Sequence, residues 1–326
     1  MNQSRVTGYS KWGILKAIGL RLGQALLTVL GASVLIWALL PLAPGDPAVR
    51  LLQARGVLEP LPEEIEAVRQ ELGMDRPLPI QYAHWLSQIV RGNFSDSYQS
   101  GKPVLQEFGK RLPATAMLAG VALFLSFLVS IPTALLSAAY HERWPDHAAR
   151  FLTQVGATMP SFLVGLLILY VIVLKLGWGQ VVSGGKFSQV WLPAACLALG
   201  RAARWAQLLR ANLLEALGSR YILVVTARGA TKIRILLRYA LPNAMLPFLT
   251  AVGVGISALL GGSAIIETVF TWPGLGSFVV AAIGARDLPV MQGFVAINTL
   301  VYVTASFVVD ALAMLLDPRI REGGGL

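Results

Sequence analysis

Five stretches of this chain run for 21 to 26 residues without a charged side chain: 22–42, 114–139, 151–174, 244–266 and 288–309. Crossing a hydrocarbon layer of about 30 Å takes about 20 helical residues. A backbone there must also satisfy its own N–H and C=O groups, as a helix does. Each run therefore predicts a spanning helix. A sixth candidate, 187–200, holds 14 residues before Arg201. It can cross if it continues through Arg201 and Arg204, whose side chains would snorkel toward the headgroups. With 55% apolar and 13% charged residues, the composition excludes an ordinary soluble domain. The expectation is an all-α polytopic membrane protein with about six transmembrane helices.

Orientation follows from Lys and Arg, which concentrate in cytosolic loops. With six spans, segments 1–22, 140–150, 201–243 and 317–326 share one side and carry 16 of the 27 basic residues but five of the 17 acids. This places both termini in the cytosol and accounts for the net charge of +10 without nucleic acid. The first apolar run is too long for a cleaved leader, so it is expected to remain as a span. The chain then divides into 1–42, the cytosolic N-terminus and first helix; 43–113, an extracytoplasmic helical insertion between helices 1 and 2; 114–316, the transmembrane domain; and 317–326, a cytosolic tail.

Within the insertion, 63–72 reads as an amphipathic helix with Ile65, Val68 and Leu72 on one face. Residues 80–90 read as a second, with Tyr82, Trp85, Leu86 and Ile89. Asp46-Pro47 reads as an N-cap with proline at the first helical position. Trp272-Pro273-Gly274 reads as a rigid turn carrying an interfacial Trp anchor. Asp46, Trp272, Pro273 and Gly274 are candidates for the outer mouth or an external partner. Arg201 and Arg204, at i and i+3, read as marking the cytosolic end of the fourth span, with charge at the inner mouth of the path, acting on an anionic or zwitterionic solute, as the alternative. Gly253, Gly255, Gly261 and Gly262 leave the fifth span thin-sided, for packing or for lining a path.

The most unusual segment is 221–242, YILVVTARGATKIRILLRYALP. From Arg220 to Arg238 it carries five basic residues and no acid. It reads as two short helices around Gly229, with Ile233, Leu236, Leu237 and Leu241 forming an apolar stripe. This is a cytosolic hairpin between helices 4 and 5 that presents a docking surface.

The segment resembles the cytosolic EAA loop of permease subunits in ATP-binding cassette (ABC) importers. That pattern is Glu-Ala-Ala, three residues, Gly, nine residues, then Ile-x-Leu-Pro. Gly229 and Tyr239-Ala240-Leu241-Pro242 fall in register, while Leu223, Val224 and Val225 replace Glu-Ala-Ala. The dipeptide, oligopeptide and nickel branch is resembled more widely, by Pro44-Gly45-Asp46-Pro47, by Leu72-Gly73-Met74-Asp75-Arg76-Pro77-Leu78, by the segment from Glu267 to Gly276, and by Asp317-Pro318-Arg319-Ile320-Arg321. The resemblance implies a non-catalytic importer permease in the bacterial cytoplasmic (inner) membrane. It would form half a path for peptides or nickel and metal chelates. Its implied partners are a second homologous permease, two cytosolic ATP-binding subunits, an extracytoplasmic substrate-binding protein and the bilayer. The implied ATPase-coupling residues are Tyr221, Thr226, Ala227, Arg228, Gly229, Ala230, Leu241 and Pro242.

No cofactor or metal is expected in the chain, and ATP would be bound by the partner subunits. The nearest approach to a phosphate loop, Ser183-Gly184-Gly185-Lys186-Phe187, lacks its spacing and hydroxyl. His84, His141 and His147 do not form a ligand set, and the single cysteine, Cys196, excludes an intrachain disulfide. A channel or secondary transporter working alone is the rival reading, and it would leave the basic hairpin a plain surface loop.

Overall fold

The computed structural model describes residues 11–42, 46–178 and 182–316. Pro44, Gly45 and the 317–326 tail, with its Asp-Pro-Arg-Ile-Arg segment, lie outside them. The described residues form no strand; Asp96 and Pro103 make one isolated bridge. Thirteen α-helices follow in order among the described residues. They are α1 (Lys11–Leu42), α2 (Pro47–Ala54), α3 (Pro62–Glu71), α4 (Leu78–Val90), α5 (Val104–Ala139), α6 (Trp144–Thr158), α7 (Ser161–Ile168), α8 (Trp191–Leu217), α9 (Arg220–Ala227), α10 (Lys232–Arg234), α11 (Leu241–Val269), α12 (Leu275–Ala285) and α13 (Leu288–Leu316).

Among the described residues, three helical stretches are long and apolar enough to cross a membrane: Val104–Ala139, Lys232–Ile256 and Leu288–Val308. The 151–174 run, expected as one helix, is instead divided between α6 and the α7 stretch, which meet at 101°. Pro160 is the cause. It has no N–H to continue the ladder, and it holds Met159 in an extended conformation (φ −70°, ψ 127°). If the bent pair counts as one span, the total is four. α8 does continue unbroken through Arg201 and Arg204, and those arginines sit near its middle rather than its end.

The core lies where α5, α8 and α11 meet. Leu118 and Ala122 pack with Ala194, Leu197, Ile266 and Phe270. Further along the same helices, Ala134 packs with Trp205, Leu209, Leu213 and Phe248. Phe127 stacks on Trp205 at 5.3 Å and 20°. Of the glycines expected to thin the fifth span, Gly255 has a clear reason: a Cβ there would lie 2.6 Å from the Trp205 ring. That contact fixes how closely α8 and α11 approach.

The insertion folds as helices docked on this bundle. α2 and α3 share a small core of Ala48, Leu52 and Val68, with Ile65 packed against it, and Leu72 stays 37% exposed. The aromatic face of α4 packs as its spacing predicts. Tyr82 bonds Ser33 of α1 at 2.7 Å, and Trp85 Nε1 donates to Gln292 Oε1 of α13 at 3.1 Å. Beneath it, buried Asp287 accepts from Ser97 Oγ at 2.5 Å and Gln99 N at 3.1 Å. Burial, with the Asp287 charge as a second cause, pushes the neighbouring Tyr98 phenol up to about 12.

Candidate functional site

The hairpin turns where its sequence places the turn. α9 ends at Ala227 and Gly229 takes φ +79°, a left-handed conformation that costs a glycine little. Thr231 then caps α10 by accepting from Arg234 N at 3.4 Å. The second arm, expected as a separate short helix, is not one. It runs through a π-helical segment, Ile235–Ala240, directly into α11. Pro242 explains the π register, because it cannot donate to the carbonyl of Arg238 as an α-helix requires.

That extra width divides the expected apolar stripe. Ile235, Leu236 and Ala240 turn inward, and Leu236 and Ala240 join the core around Leu213 and Phe248. Ile233 and Leu237 turn outward, 71% and 47% exposed, as do Leu223 at 72% and Val224 at 54% on the first arm. The two arms are tied by Tyr221: its hydroxyl donates to the Tyr239 carbonyl at 3.2 Å and accepts from Asn243 Nδ2 at 3.1 Å. Thr226, Ala227, Arg228, Gly229 and Pro242 are exposed, while Ala230 and Leu241 are half-buried. The product is an apolar knob that also carries Arg220, Arg228, Lys232, Arg234 and Arg238. Among the described residues no carboxylate pairs with these five cations.

The Trp-Pro-Gly turn is built the opposite way, and the interfacial Trp anchor is overturned. Trp272 is fully buried, and its Nε1 donates to the Ala114 carbonyl at 3.0 Å. A flat indole surrounded by α5, α8 and α11 gains more from packing there than at an interface. Glu267, also fully buried, accepts from Thr115 Oγ1 at 2.8 Å, Ser263 Oγ at 3.1 Å and Ser277 N at 2.9 Å. Thr115 Oγ1 accepts in turn from Leu275 N at 2.7 Å. Gly274 is buried against this carboxylate: a Cβ would meet Thr115 Oγ1 at 2.6 Å and overlap the Glu267 carboxyl. Of the three residues, Pro273 alone is exposed. Sequence reasoning missed the hub because Glu267 ends an uncharged run and reads as a span boundary. Its signal was there: a lone acid among apolar residues, with Ser263 one turn back, needs donors wherever it is buried.

Asp46 caps α2 as expected, accepting from Ala48 N at 2.9 Å, and its second oxygen meets Arg69 NH2 at 2.6 Å. Both oxygens are engaged within the chain. Asp146 pins α6 to α8. It receives Arg210 through Nε and NH2, both at 2.7 Å, along with Ser137 Oγ and Glu142 N. This assigns Arg210 a structural partner. Beside it a cavity of about 450 Å³ opens between α5, α6 and α8, lined by Thr133, Arg150, Thr153, Gln154 and Gln207 among others. No group of three His, Cys, Asp or Glu side chains placed to hold a metal occurs among the described residues.

The profile of the family described as "Binding-protein-dependent transport system inner membrane component" matches residues 130–322. The N-terminal profile of the same membrane components matches 14–119. The chain is 36% identical to the "Probable D,D-dipeptide transport system permease protein DdpB" of Escherichia coli (strain K12), over 96% of this chain and 99% of that protein. It is 33% identical to the "Glutathione transport system permease protein GsiC" of Salmonella choleraesuis (strain SC-B67), over 90% of this chain and 95% of that one. Among solved structures, an inward-facing MetNI methionine ABC transporter chain superposes with a TM-score of 0.54 at 19% identity, covering 65% of this chain and 97% of that chain. At that identity the likeness speaks for the fold.

Proposed function

Because this chain belongs to the family of binding-protein-dependent transport system inner membrane components, where its place is that of an importer's permease subunit, we propose that it forms half of a path for peptides. Two relatives named for a D,D-dipeptide and for glutathione support this solute class. The second half would be a homologous permease. Two cytosolic ATP-binding subunits would drive the pair, one of them seated on this hairpin, and a substrate-binding protein would deliver solute on the other face.

The single observation that carries the reading is the knob itself. It combines exposed Leu223, Val224, Ile233 and Leu237 with five uncompensated cations on a frame locked by Tyr221 and Gly229. A surface loop with no partner would not hold so much apolar area rigidly in water. Closure of the ATPase pair would move the knob. Because its second arm is continuous with α11, that movement would pass into the span without a flexible joint, as differential contact in the two states requires.

The proposed topology has six spans and both termini in the cytosol. It is supported by the division of basic residues and by α8 running unbroken through its arginines. The exposed Pro273 and the insertion would then face the binding protein. A Lys232→Cys probe should react with an impermeant thiol reagent only from the cytosolic side; reaction from outside would overturn the orientation.

Gly229→Val tests the coupling. Space is not the difficulty, since a Cβ at Gly229 meets nothing within 4 Å. The strain is in φ, and a β-branched residue held there costs about 1–3 kcal/mol. The variant should insert normally yet lose retention of the ATP-binding subunits and ATP-driven uptake in vesicles. Uptake at the wild-type rate would refute the hairpin as the coupling element.

A further inference from the structure

In the proposed six-span topology, Arg201 and Arg204 fall inside the hydrocarbon layer rather than at its edge. α5 and α8 run in the same direction, and two contacts set their register: Ser126 Oγ to the Ala198 carbonyl at 3.4 Å, and Arg210 Nε to Ser137 Oγ at 2.8 Å. The arginines fall between these contacts, level with the stretch from Val129 to Thr133 of α5. The uncharged stretch that includes most of α5 extends from Leu112 to its C-cap Tyr140, so its midpoint is near Ser126. At 1.5 Å per residue, Arg201 is about 5 Å and Arg204 about 10 Å from that midpoint. A hydrocarbon half-thickness of about 15 Å encloses both. Among the described residues neither has a carboxylate partner. Arg204 donates to the Gly200 carbonyl at 3.2 Å and is otherwise exposed.

A second observation falls at the same level. The 101° break between α6 and α7 packs against this turn of α8: a Cβ on Gly156 would lie 3.2 Å from Ala203 Cβ, and one on Gly200 would lie 3.5 Å from the Gly156 carbonyl. Pro160, exposed at the break, supplies no N–H to that carbonyl four residues back. Broken backbone at membrane depth is tolerated only when covered by protein or when it lines a watery cavity. One turn further on, Gln207 Nε2 donates to Gln154 Oε1 at 3.3 Å, and both line the cavity of about 450 Å³ that continues past Thr133 and Arg210.

We infer that Arg201 and Arg204 line a water-filled stretch of the path and receive the carboxylate of the passing solute. This rests on the importer reading above. Two guanidinium groups one turn apart, without acids, repel each other and favour an anion between them; their planar donors suit a carboxylate. The break supplies the water, and the Gln-lined cavity carries the route toward the cytosol. The arginines therefore do not mark a membrane boundary.

The test uses the full transporter in liposomes, with Cys196→Ala as background and Arg201→Cys or Arg204→Cys added singly. The probes are an anionic and a cationic methanethiosulfonate. Both engineered thiols should react, and the remaining arginine should favour the anionic reagent at least about tenfold relative to free cysteine. Unreactive thiols would place the side chains in lipid or against the second permease, and equal preference would remove the anion site; either overturns the inference. In parallel, Arg201→Gln/Arg204→Gln should lower uptake of radiolabelled alanyl-alanine at least tenfold at saturating binding protein, with the ATP-binding subunits still retained. Unchanged uptake also overturns it. If the wild-type complex takes up neither alanyl-alanine nor glutathione, the peptide reading fails, while the thiol preferences still decide whether this is an anion station.

Discussion

The Trp-Pro-Gly turn and the basic hairpin are both short reversals next to α11, and both carry residues that resemble family motifs. They are built in opposite ways. In the turn, Glu267, Phe270 and Trp272 are fully buried, and the carboxylate and the indole N–H find partners on other helices of the chain. In the hairpin, the large apolar side chains at 223, 224 and 233 stay more than half exposed, and five cations have no acid among the described residues. A motif that satisfies itself internally is accounted for by folding. One left open by its own chain is accounted for by something outside it. Resemblance alone weighted the two equally, and burial separates them.

The largest effect should come from adding one methyl group to the closed region. In Gly274→Ala the new Cβ overlaps the Glu267 carboxyl and Thr115 Oγ1, and neither can retreat without breaking a buried hydrogen bond. Each bond lost at a buried group costs about 1–3 kcal/mol, and overpacking adds about as much again. The variant should yield little folded protein, read as loss of the monodisperse peak in detergent. Normal yield would show that the turn yields easily and that burial there is not structural.

The open region should respond in the reverse sense. Ile233→Asp places a charge on a side chain already 71% exposed, so thermal stability should change by less than about 0.5 kcal/mol. Retention of the ATP-binding subunits should fall at least about tenfold, near 1.4 kcal/mol of association free energy. Loss of folding with retention intact would invert the comparison.

How much of this was legible depended on what each residue needs from its neighbours. The Gly229 turn, the Asp46 cap and the Tyr82-Trp85 face are local patterns, and the structure keeps all three. The proline at 160 was visible, but the break was not, because a proline in an apolar run need not break it: Pro132 sits inside continuous α5 and Pro247 inside continuous α11. Ile233 and Leu237 were placed on the stripe with Leu236 because α periodicity was assumed through Pro242, where the chain takes a π register instead. The partners of Glu267 and Asp287 were illegible for a different reason. The donors Thr115 and Ser97 are 152 and 190 residues away, and no local rule links such positions.

The smallest effect separates burial from pairing as the operative variable. Arg55 and Glu71 form a two-point pair in the insertion, at 3.2 and 3.0 Å, with both side chains about half exposed. Like the Glu267 hub, this pair is satisfied internally; unlike it, the pair is in water. The Arg55 hydrogen bond holds the Glu71 carboxyl below its usual range, against a smaller opposing desolvation. With the folded value depressed, the contribution is present above the ordinary carboxylate range and is lost as pH falls through the folded value. Solvent screening limits such exposed pairs to about 0.2–1 kcal/mol. Glu71→Gln should therefore lower stability by less than about 1 kcal/mol at neutral pH, and the difference from wild type should vanish in acid. It should also shrink with added salt, since exposed charges are screened within about 10 Å at 0.1 M. A loss as large as that of Gly274→Ala would mean that having an internal partner, rather than being buried with it, is what makes a region structural, and the contrast between turn and hairpin would have to be redrawn on that basis.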